Sequence, residues 1–223
     1  QNITFSWQQV EGIRNNMLNF LENHDEQRLA STFFAGNPLK GKAPLLVSAL
    51  MYTNPMMIYF GQELGEKGMD AEGFSGEDGR TTIFDYWTVD TIRRWRNNGK
   101  FDQNLLTEDE LSLQEYYAKV LNICNSSEAV REGEFYDLMY VNPQLQKQYT
   151  FVRHSEKETL LVIANFASQD TEITINVPEH LFEYYGIKEN TACEWTDLLS
   201  GSQITTAFSS NMPTKLTVPS WGG

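Results

Sequence analysis

Basic residues are scarce in this chain, and their scarcity excludes one class of partner. The 223 residues include 17 lysines and arginines against 30 aspartates and glutamates, which gives a formal net charge of −13. Nucleic-acid binding depends on cationic side chains that neutralise phosphates, and most of this surface would repel a polyanion. We therefore expect no nucleic-acid partner, whereas a neutral ligand would meet no such repulsion.

Histidine, cysteine and long apolar runs are also scarce. The 3 histidines, at positions 24, 154 and 180, lack the spacing of a metal-ligating set, which argues against a metal phosphohydrolase. Cys124 and Cys193 lie on different predicted elements; they could meet across a domain boundary, but two free thiols are the commoner outcome. No apolar run approaches the roughly 20 residues that a membrane span requires.

What the chain does contain is a short apolar stretch that ends abruptly in polar side chains. Residues 16–21 predict a strand, and the sequence Glu-Asn-His-Asp-Glu-Gln-Arg follows at 22–28. Active-site residues collect at the carboxyl ends of barrel strands, because strand ends are rigid and the loops beyond them vary freely. Asn23, His24 and Asp25 are therefore candidate site residues, although such a triplet is more often a turn held by local side-chain-to-backbone bonds.

The next segment predicts a helix followed by a second strand. Residues 43–53 are apolar at helical spacing, with Leu46, Ala49, Leu50 and Thr53 on one face. Asn54-Pro55 ends this helix, since proline disfavours the helical conformation of the preceding residue. The continuous apolar run 56–60 is typical of a strand in a parallel sheet covered by helices.

Two motifs in this region resemble one known family. Phe-x-x-Asn-His-Asp at 20–25 resembles the last catalytic motif of the alpha-amylase family of glycoside hydrolases, and Pro-x-x-Ile-Tyr-x-Gly-x-Glu-x-Gly at 55–65 resembles its eighth barrel strand. The resemblance implies that Asp25 is one of three catalytic carboxylates and stabilises the transition state. It also implies that His24 binds the sugar at the cleavage point. We place Asn23, as the residue that sets the strand-end geometry, and Arg28, as a partner for a carboxylate of the barrel mouth, in the same substrate-binding set.

From residue 134 onward the pattern changes to short alternating runs, at 135–141, 149–153, 159–164 and 171–177. Such runs predict an antiparallel sandwich, and residues 160–166 and 215–221 resemble strands of the sandwich domain that follows the barrel in alpha-amylases. The expected fold class is α/β plus all-β. Residues 1–130 would form the C-terminal part of a TIM (β/α)8 barrel, from about strand seven to helix eight, and residues 131–223 an antiparallel β-sandwich domain.

The length of the chain conflicts with a complete barrel, which needs roughly 250 residues. We expect a fragment, truncated at both ends, in which the motifs for the nucleophile and the acid/base residue are absent, so that the isolated chain is inactive. Two barrel strands leave open edges, so the missing N-terminal barrel portion in another chain is an expected partner. Without it, proteolysis should remove residues before about 130 first.

Other polar residues have weaker claims to a role. Glu63 matches a family position, and we favour a structural role for it. Arg80 and Asp85 can form an ion pair, and Tyr86-Trp87 can stack on a sugar or close the loop. We expect Glu72, Glu77 and Asp78 to be solvated rather than metal-bound.

Three functions remain open from the sequence. The first is a retaining hydrolase of alpha-1,4-glucosidic bonds in starch-like glucans or maltooligosaccharides, the second is a transglycosylase of the same family, and the third is a non-catalytic glucan-binding module. We assign no metal, although the resemblance leaves room for calcium in the complete enzyme. The sequence does not establish a compartment; a glucan substrate favours a secreted or periplasmic one.

Overall fold

The computed structural model describes residues 2–70, 77–84 and 89–223. Its helices are α1 Asn2–Gln9, α2 Lys42–Leu50, α3 Asp90–Arg96, α4 Glu108–Ser126, α5 Glu128–Arg131 and α6 Glu179–Tyr185. Its strands are β1 Asn19–Phe20, β2 Met56–Met57, β3 Glu134–Asp137, β4 Gln148–His154, β5 Thr159–Asn165, β6 Thr171–Ile175, β7 Asn190–Thr196, β8 Gln203–Phe208 and β9 Thr214–Val218. No helix in the described ranges is long and apolar enough to cross a membrane.

The predicted strand–helix–strand order is confirmed in the first part of the chain. Strands β1 and β2 pair in parallel, with Asn19 opposite Met56 and Phe20 opposite Met57. Both are shorter than the runs 16–21 and 56–60, since Arg14–Asn16 forms a 3-10 turn before β1 and the pairing covers two residues on each strand. Helix α2 connects them, and it also ends early, which leaves Thr53 exposed. Within the described residues this is a two-stranded parallel sheet and not a closed barrel.

Helix α4 begins at a capping box formed by Thr107 and Glu110. The Thr107 hydroxyl accepts a hydrogen bond from the Glu110 amide, and the Glu110 carboxylate accepts one from the Thr107 amide, at 3.2 and 2.8 Å. These bonds satisfy two donors that a helix start otherwise leaves unpaired. Leu113, Tyr117 and Val120 are buried along one face, which packs against α2 and so fixes the helical layer behind β1 and β2.

The second part of the chain is antiparallel, as predicted. Strands β3, β4 and β5 form one sheet, β6 pairs with β9, and β7 pairs with β8. The run 135–141 is a strand only as far as Asp137, because Met139–Val141 turns into a 3-10 helix. The sheets are small and separate, so a two-sheet sandwich stays a prediction, as does the boundary near residue 130.

One hydrophobic core runs through both parts. Leu45 of α2, Val120 of α4 and Phe151 of β4 are all fully buried in the same cluster. Arg153 lies beside this cluster, 2% exposed, and donates to the carbonyls of Met51, Ala129, Val130 and Gly133 at 2.7–3.0 Å. Burial lowers the pKa of the Arg153 guanidinium to about 10, so the group is still charged at neutral pH.

The cysteines behave as the sequence indicates. Cys124 and Cys193 are both free and half-buried, which confirms the expectation of two thiols. The Cys124 thiol donates to the Ala49 carbonyl at 3.3 Å, and burial raises the pKa of both thiols. They therefore behave as packing side chains rather than as reactive groups.

Candidate active site

The loop that follows β1 is closed by a buried carboxylate. Glu22 is 2% exposed, and one of its oxygens accepts a hydrogen bond from the Leu29 amide at 2.7 Å. Its other oxygen accepts from the Arg28 guanidinium at 2.8 Å. Residues 22 and 28–29 are thereby joined, and residues 23–27 form the loop between them.

Arg28 connects this loop to two other segments of the chain. Its side chain is 0% exposed and donates to the Phe60 carbonyl at 2.8 Å and to the Thr81 hydroxyl at 2.6 and 3.0 Å. Its guanidinium carbon lies 4.3 Å from the centre of the Tyr59 ring. A buried arginine with a carboxylate, a carbonyl, a hydroxyl and an aromatic ring around it is a rigid tether.

The structure therefore places Arg28 below the surface of the loop. The pairing with a carboxylate that the sequence indicates is present, and Glu22 is that carboxylate. A sugar at the protein surface would not reach the guanidinium, because no part of the side chain faces solvent. In this structure Arg28 therefore contacts the loop and its neighbouring segments and not the solvent.

Asn23 makes the turn that the sequence suggests at this point. Its side-chain oxygen accepts hydrogen bonds from the amides of Asp25 and Glu26, at 2.9 and 2.8 Å. This is the local side-chain-to-backbone turn that asparagine commonly forms. The turn and a functional role are compatible here, since the turn fixes the backbone of the two residues that follow Asn23.

His24 and Asp25 lie on the solvent side of the same loop. Their side chains are 52% and 75% exposed, and the His24 Nε2 atom lies 3.4 Å from Asp25 Oδ1. The carboxylate can accept several hydrogen bonds from a ligand, and the imidazole can donate one. The site therefore presents an exposed acceptor and donor above a buried ion pair.

A second carboxylate, Glu63, lies beneath the site with an unpartnered oxygen. Its Oε2 atom is buried and has no hydrogen-bond partner among the described residues. Burial raises the pKa of Glu63, and the nearby charge of Glu22 adds to this effect while Arg28 opposes it. Burial also raises the pKa of Glu22, against the opposing effects of Arg28 and the Leu29 amide. Glu63 is thus a buried carboxylate near the charges of Glu22 and Arg28, and the structural role favoured from the sequence stays a prediction.

The segment 77–82 packs closely against the loop. The Gly79 carbonyl accepts from the Arg28 amide at 2.7 Å, and a Cβ at Gly79 would lie 2.2 Å from the Ser31 hydroxyl oxygen. Gly79 also has a φ of +83°, so both space and conformation require glycine there. Glycine is what lets this segment approach Arg28.

Several residues weighed from the sequence have a different place or lie outside the described residues. Arg80 pairs with Asp78 at 3.7 Å on the surface, and its expected partner Asp85 lies outside the described residues, as do Tyr86, Trp87 and Glu72. Glu77 is exposed. No group of three or more histidine, cysteine or acidic side chains within residues 2–70, 77–84 and 89–223 is arranged to hold a metal ion.

A cavity elsewhere in the molecule has no part in this site. It measures about 360 Å³ and lies between α2 and the antiparallel strands, where Leu46, Leu160, Trp195 and Leu216 line it. Its lining is mostly apolar and includes none of residues 22–29. The candidate site is thus an exposed loop on a buried support.

Comparison with known proteins assigns the family. Residues 1–154 match the sequence profile of the alpha-amylase catalytic domain. The chain belongs to the alpha-amylase family. This match covers β1, β2 and the whole candidate site, and it continues past residue 130 to the end of β4.

Solved alpha-amylase structures share this fold. An Anoxybacillus alpha-amylase is 18% identical, with a TM-score of 0.60 over 98% of this chain and 40% of its own. AmyP in complex with maltose is 15% identical, with a TM-score of 0.62 over 96% of this chain and 42% of its own. The maltogenic alpha-amylase AmyB from Thermotoga neapolitana is 15% identical, with a TM-score of 0.60 over 97% and 43%. The chain thus spans about two fifths of the length of these relatives, and a comparison with curated proteins finds no match.

Proposed function

We propose that this chain forms part of a retaining glycoside hydrolase that cleaves alpha-1,4-glucosidic bonds in starch-like glucans or maltooligosaccharides. The observation that carries the proposal is the exposed His24–Asp25 pair, held at the end of a parallel strand by the buried Glu22–Arg28 pair. Family membership supports a glycosidase of alpha-glucans, and the relative AmyP binds maltose. The substrate is a neutral sugar chain, which suits a protein with a net charge of −13.

Asp25 has the role of the third carboxylate in this proposal. Retaining glycosidases hold a nucleophile and an acid/base carboxyl about 5–5.5 Å apart, and we assign both to parts of the complete enzyme outside this chain. Asp25 accepts hydrogen bonds from sugar hydroxyls at the cleavage point. Those bonds strengthen as the ring flattens towards the oxocarbenium-like transition state, so they bind the transition state more tightly than the substrate.

The remaining residues of the loop bind the sugar or hold Asp25 in position. His24 donates a hydrogen bond to a neighbouring hydroxyl of the same sugar, which its 52% exposure permits. Asn23 fixes the backbone of Asp25, and Glu22 and Arg28 hold both ends of the loop. A carboxylate that is already in place loses less entropy on binding, and reorientation of the loop is avoided during the reaction.

The test replaces Asp25 by asparagine in the complete enzyme that contains this chain. The substitution keeps the size of the side chain and removes its negative charge, so we expect kcat/KM on maltoheptaose to fall by about 100- to 1,000-fold. Glu26→Gln is the matched control, because it removes a charge from the neighbouring exposed residue of the same loop and should leave most of the activity. Near-normal turnover by Asp25→Asn would refute the role of Asp25.

Product analysis of the same reactions separates hydrolysis from transfer. Hydrolysis of maltoheptaose yields only shorter oligosaccharides, whereas a transglycosylase also yields longer ones. Binding of maltoheptaose with no turnover in the complete, unsubstituted enzyme would contradict a catalytic function altogether and would favour a glucan-binding module.

A further inference from the structure

The connection between α3 and α4 contains the one Asn-Gly pair of the sequence, Asn98-Gly99. The pair belongs to the 3-10 turn Asn97–Gly99, which directly follows α3. An asparagine followed by glycine is chemically labile, because glycine has no side chain that would keep its backbone nitrogen away from the asparagine side chain. The proposed hydrolase function uses neither residue of this pair.

The backbone of this turn lies in the left-handed region. φ and ψ are 42° and 57° at Asn97 and 55° and 29° at Asn98, and φ is +90° at Gly99. Phe101 and Gln103, a few residues on, have φ values of 53° and 62°. Positive φ costs free energy in every residue with a Cβ, although less in asparagine than in most. The turn is therefore strained, and rotation of the Asn98 backbone out of this conformation relieves part of that strain.

Asn98 and Gly99 are both open to solvent. Both are exposed, and the Asn98 side chain forms no hydrogen bond within residues 2–70, 77–84 and 89–223. Apart from the neighbouring residues of the chain, no described heavy atom lies within 4 Å of the position that a Cβ on Gly99 would take. Asn97 differs, since it is 7% exposed and its side-chain amide donates to the Asp102 carboxylate at 2.6 Å. Of the two adjacent asparagines, only Asn98 has an unbonded side chain.

These two residues can react with each other without any cofactor. The backbone nitrogen of Gly99 attacks Cγ of Asn98, ammonia leaves with the proton of that nitrogen, and a five-membered succinimide ring forms. Water then opens the ring at one of its two carbonyl carbons. Opening at Cγ gives aspartate, and opening at the backbone carbonyl carbon gives isoaspartate. Each turnover consumes one water molecule and releases one molecule of ammonia, with no oxidation or reduction.

The reaction requires a local opening of the turn. A ψ of 29° keeps the next backbone nitrogen on the far side of the Cα–C bond from the Asn98 Cβ, so ψ must rotate first. The rotation disturbs two hydrogen bonds, which the amides of Lys100 and Phe101 donate within the turn at 3.1 and 3.2 Å. Exposed turns of this kind open at little cost. The ion pair of Arg94 with Glu110 meanwhile holds α3 to the start of α4, with Nε 3.0 Å from Oε1.

We infer that Asn98 is a site of spontaneous deamidation in the folded protein, with isoaspartate among the products. Either product adds a negative charge to a chain whose net charge is already −13. Isoaspartate also adds one atom to the backbone between α3 and α4, because the chain then runs through Cβ and Cγ of this residue. The modification therefore changes both the charge and the length of the turn.

The test is incubation of the complete, folded enzyme that contains this chain at pH 8 and 37 °C, with peptide mapping by mass spectrometry at intervals. We expect the peptide that contains Asn98 to gain the mass that accompanies replacement of an amide by an acid. An isoaspartyl methyltransferase should label the same peptide. The folded enzyme should react no more than about tenfold more slowly than the enzyme in urea, because the opening costs little.

The chain offers an internal control and a matched variant. Asn125 is also exposed and is followed by a small residue, Ser126, but both lie in helix α4, so Asn125 should stay largely unmodified. Asn98→Gln should abolish the labelling, because glutamine would have to close a six-membered ring, which forms far more slowly.

Three results would each overturn the inference. They are isoaspartate in the enzyme in urea but none in the folded enzyme, labelling at Asn125 as fast as at Asn98, and labelling that persists in Asn98→Gln. Asp25→Asn should deamidate at the same rate as the parent, because Asp25 is not part of this turn. A failure of the role proposed for Asp25 would therefore leave this inference standing, and the reverse also holds.

Discussion

Replacing Arg28 by methionine would remove the buried cation that supports the candidate active site. Methionine has a similar length but no charge, so Glu22, at 2% exposure, would keep its carboxylate with the Leu29 amide as its remaining donor. Removing one partner of a buried ion pair typically costs about 3–5 kcal/mol. We expect the free energy of unfolding to fall by that amount, since the Phe60 carbonyl and the Thr81 hydroxyl lose the same donor.

The size of the effect should depend on which partner remains. In the double variant Glu22→Leu/Arg28→Met both charges are absent, so no unpaired charge is buried and most of the lost stability should return. Arg80→Met is the matched control: Arg80 is 47% exposed in a 3.7 Å pair with Asp78, and its loss should cost less than about 1 kcal/mol. Urea unfolding followed by tryptophan fluorescence measures all three variants. If Arg28→Met costs no more than Arg80→Met, or if the double variant is less stable than Arg28→Met, the reasoning is wrong.

Two further predictions concern buried charges. Burial raises the pKa of Glu63 above its value of 4.5 in an unfolded chain, so the folded protein holds a proton that the unfolded chain has released, and stability falls as pH rises through that interval. The side chain of Glu63→Gln does not titrate, so the urea midpoint of this variant minus that of the parent should increase from pH 4 to pH 7. A difference that stays constant or decreases would contradict the raised pKa. Arg153→Met removes the donor that the Met51, Ala129, Val130 and Gly133 carbonyls share, and it should cost at least about 3 kcal/mol. Arg131→Met is the control, because Arg131 is 51% exposed. Equal free energies of unfolding in the two variants would contradict the view that Arg153 joins the two parts of the chain.

Much of the fold could be predicted because its signals are local. The capping box at Thr107 and Glu110, the apolar run of α2 and the alternation of β6 each depend on neighbours within a few residues. Strands β7 and β8 were not predicted, because the inward face of β7 consists of only two partly buried side chains, Cys193 and Trp195. So short an apolar alternation is a weak signal in the sequence, and the pairing of β7 with β8 defines the strand in the structure.

The candidate site also contains residues with local sequence signals and residues whose partners are distant in the sequence. Asn23, His24 and Asp25 are adjacent in the sequence, and their turn depends on contacts two and three residues apart, so residue type and order were enough to find them. Glu22 was missed, although its position directly after an apolar run and six residues before an arginine was a usable signal. The partners of Arg28 at Phe60 and Thr81 are 32 and 53 residues away, and nothing in the local sequence indicates them.

The burial of Arg28 also bears on the role proposed for the exposed His24–Asp25 pair. Asp25 is 75% exposed, and an exposed side chain on an unsupported loop would sample many positions, most of them unsuited to a sugar hydroxyl. The support below it restricts that freedom: the loop is closed at Glu22, turned at Asn23 and tied by Arg28 to the segments after β2. Buried hydrogen bonds of Glu22 and Arg28 thus hold the two ends of the loop, and the Asn23 turn between them is held by exposed hydrogen bonds. In the role proposed for Asp25, its exposure and the support of its loop thus come from different residues.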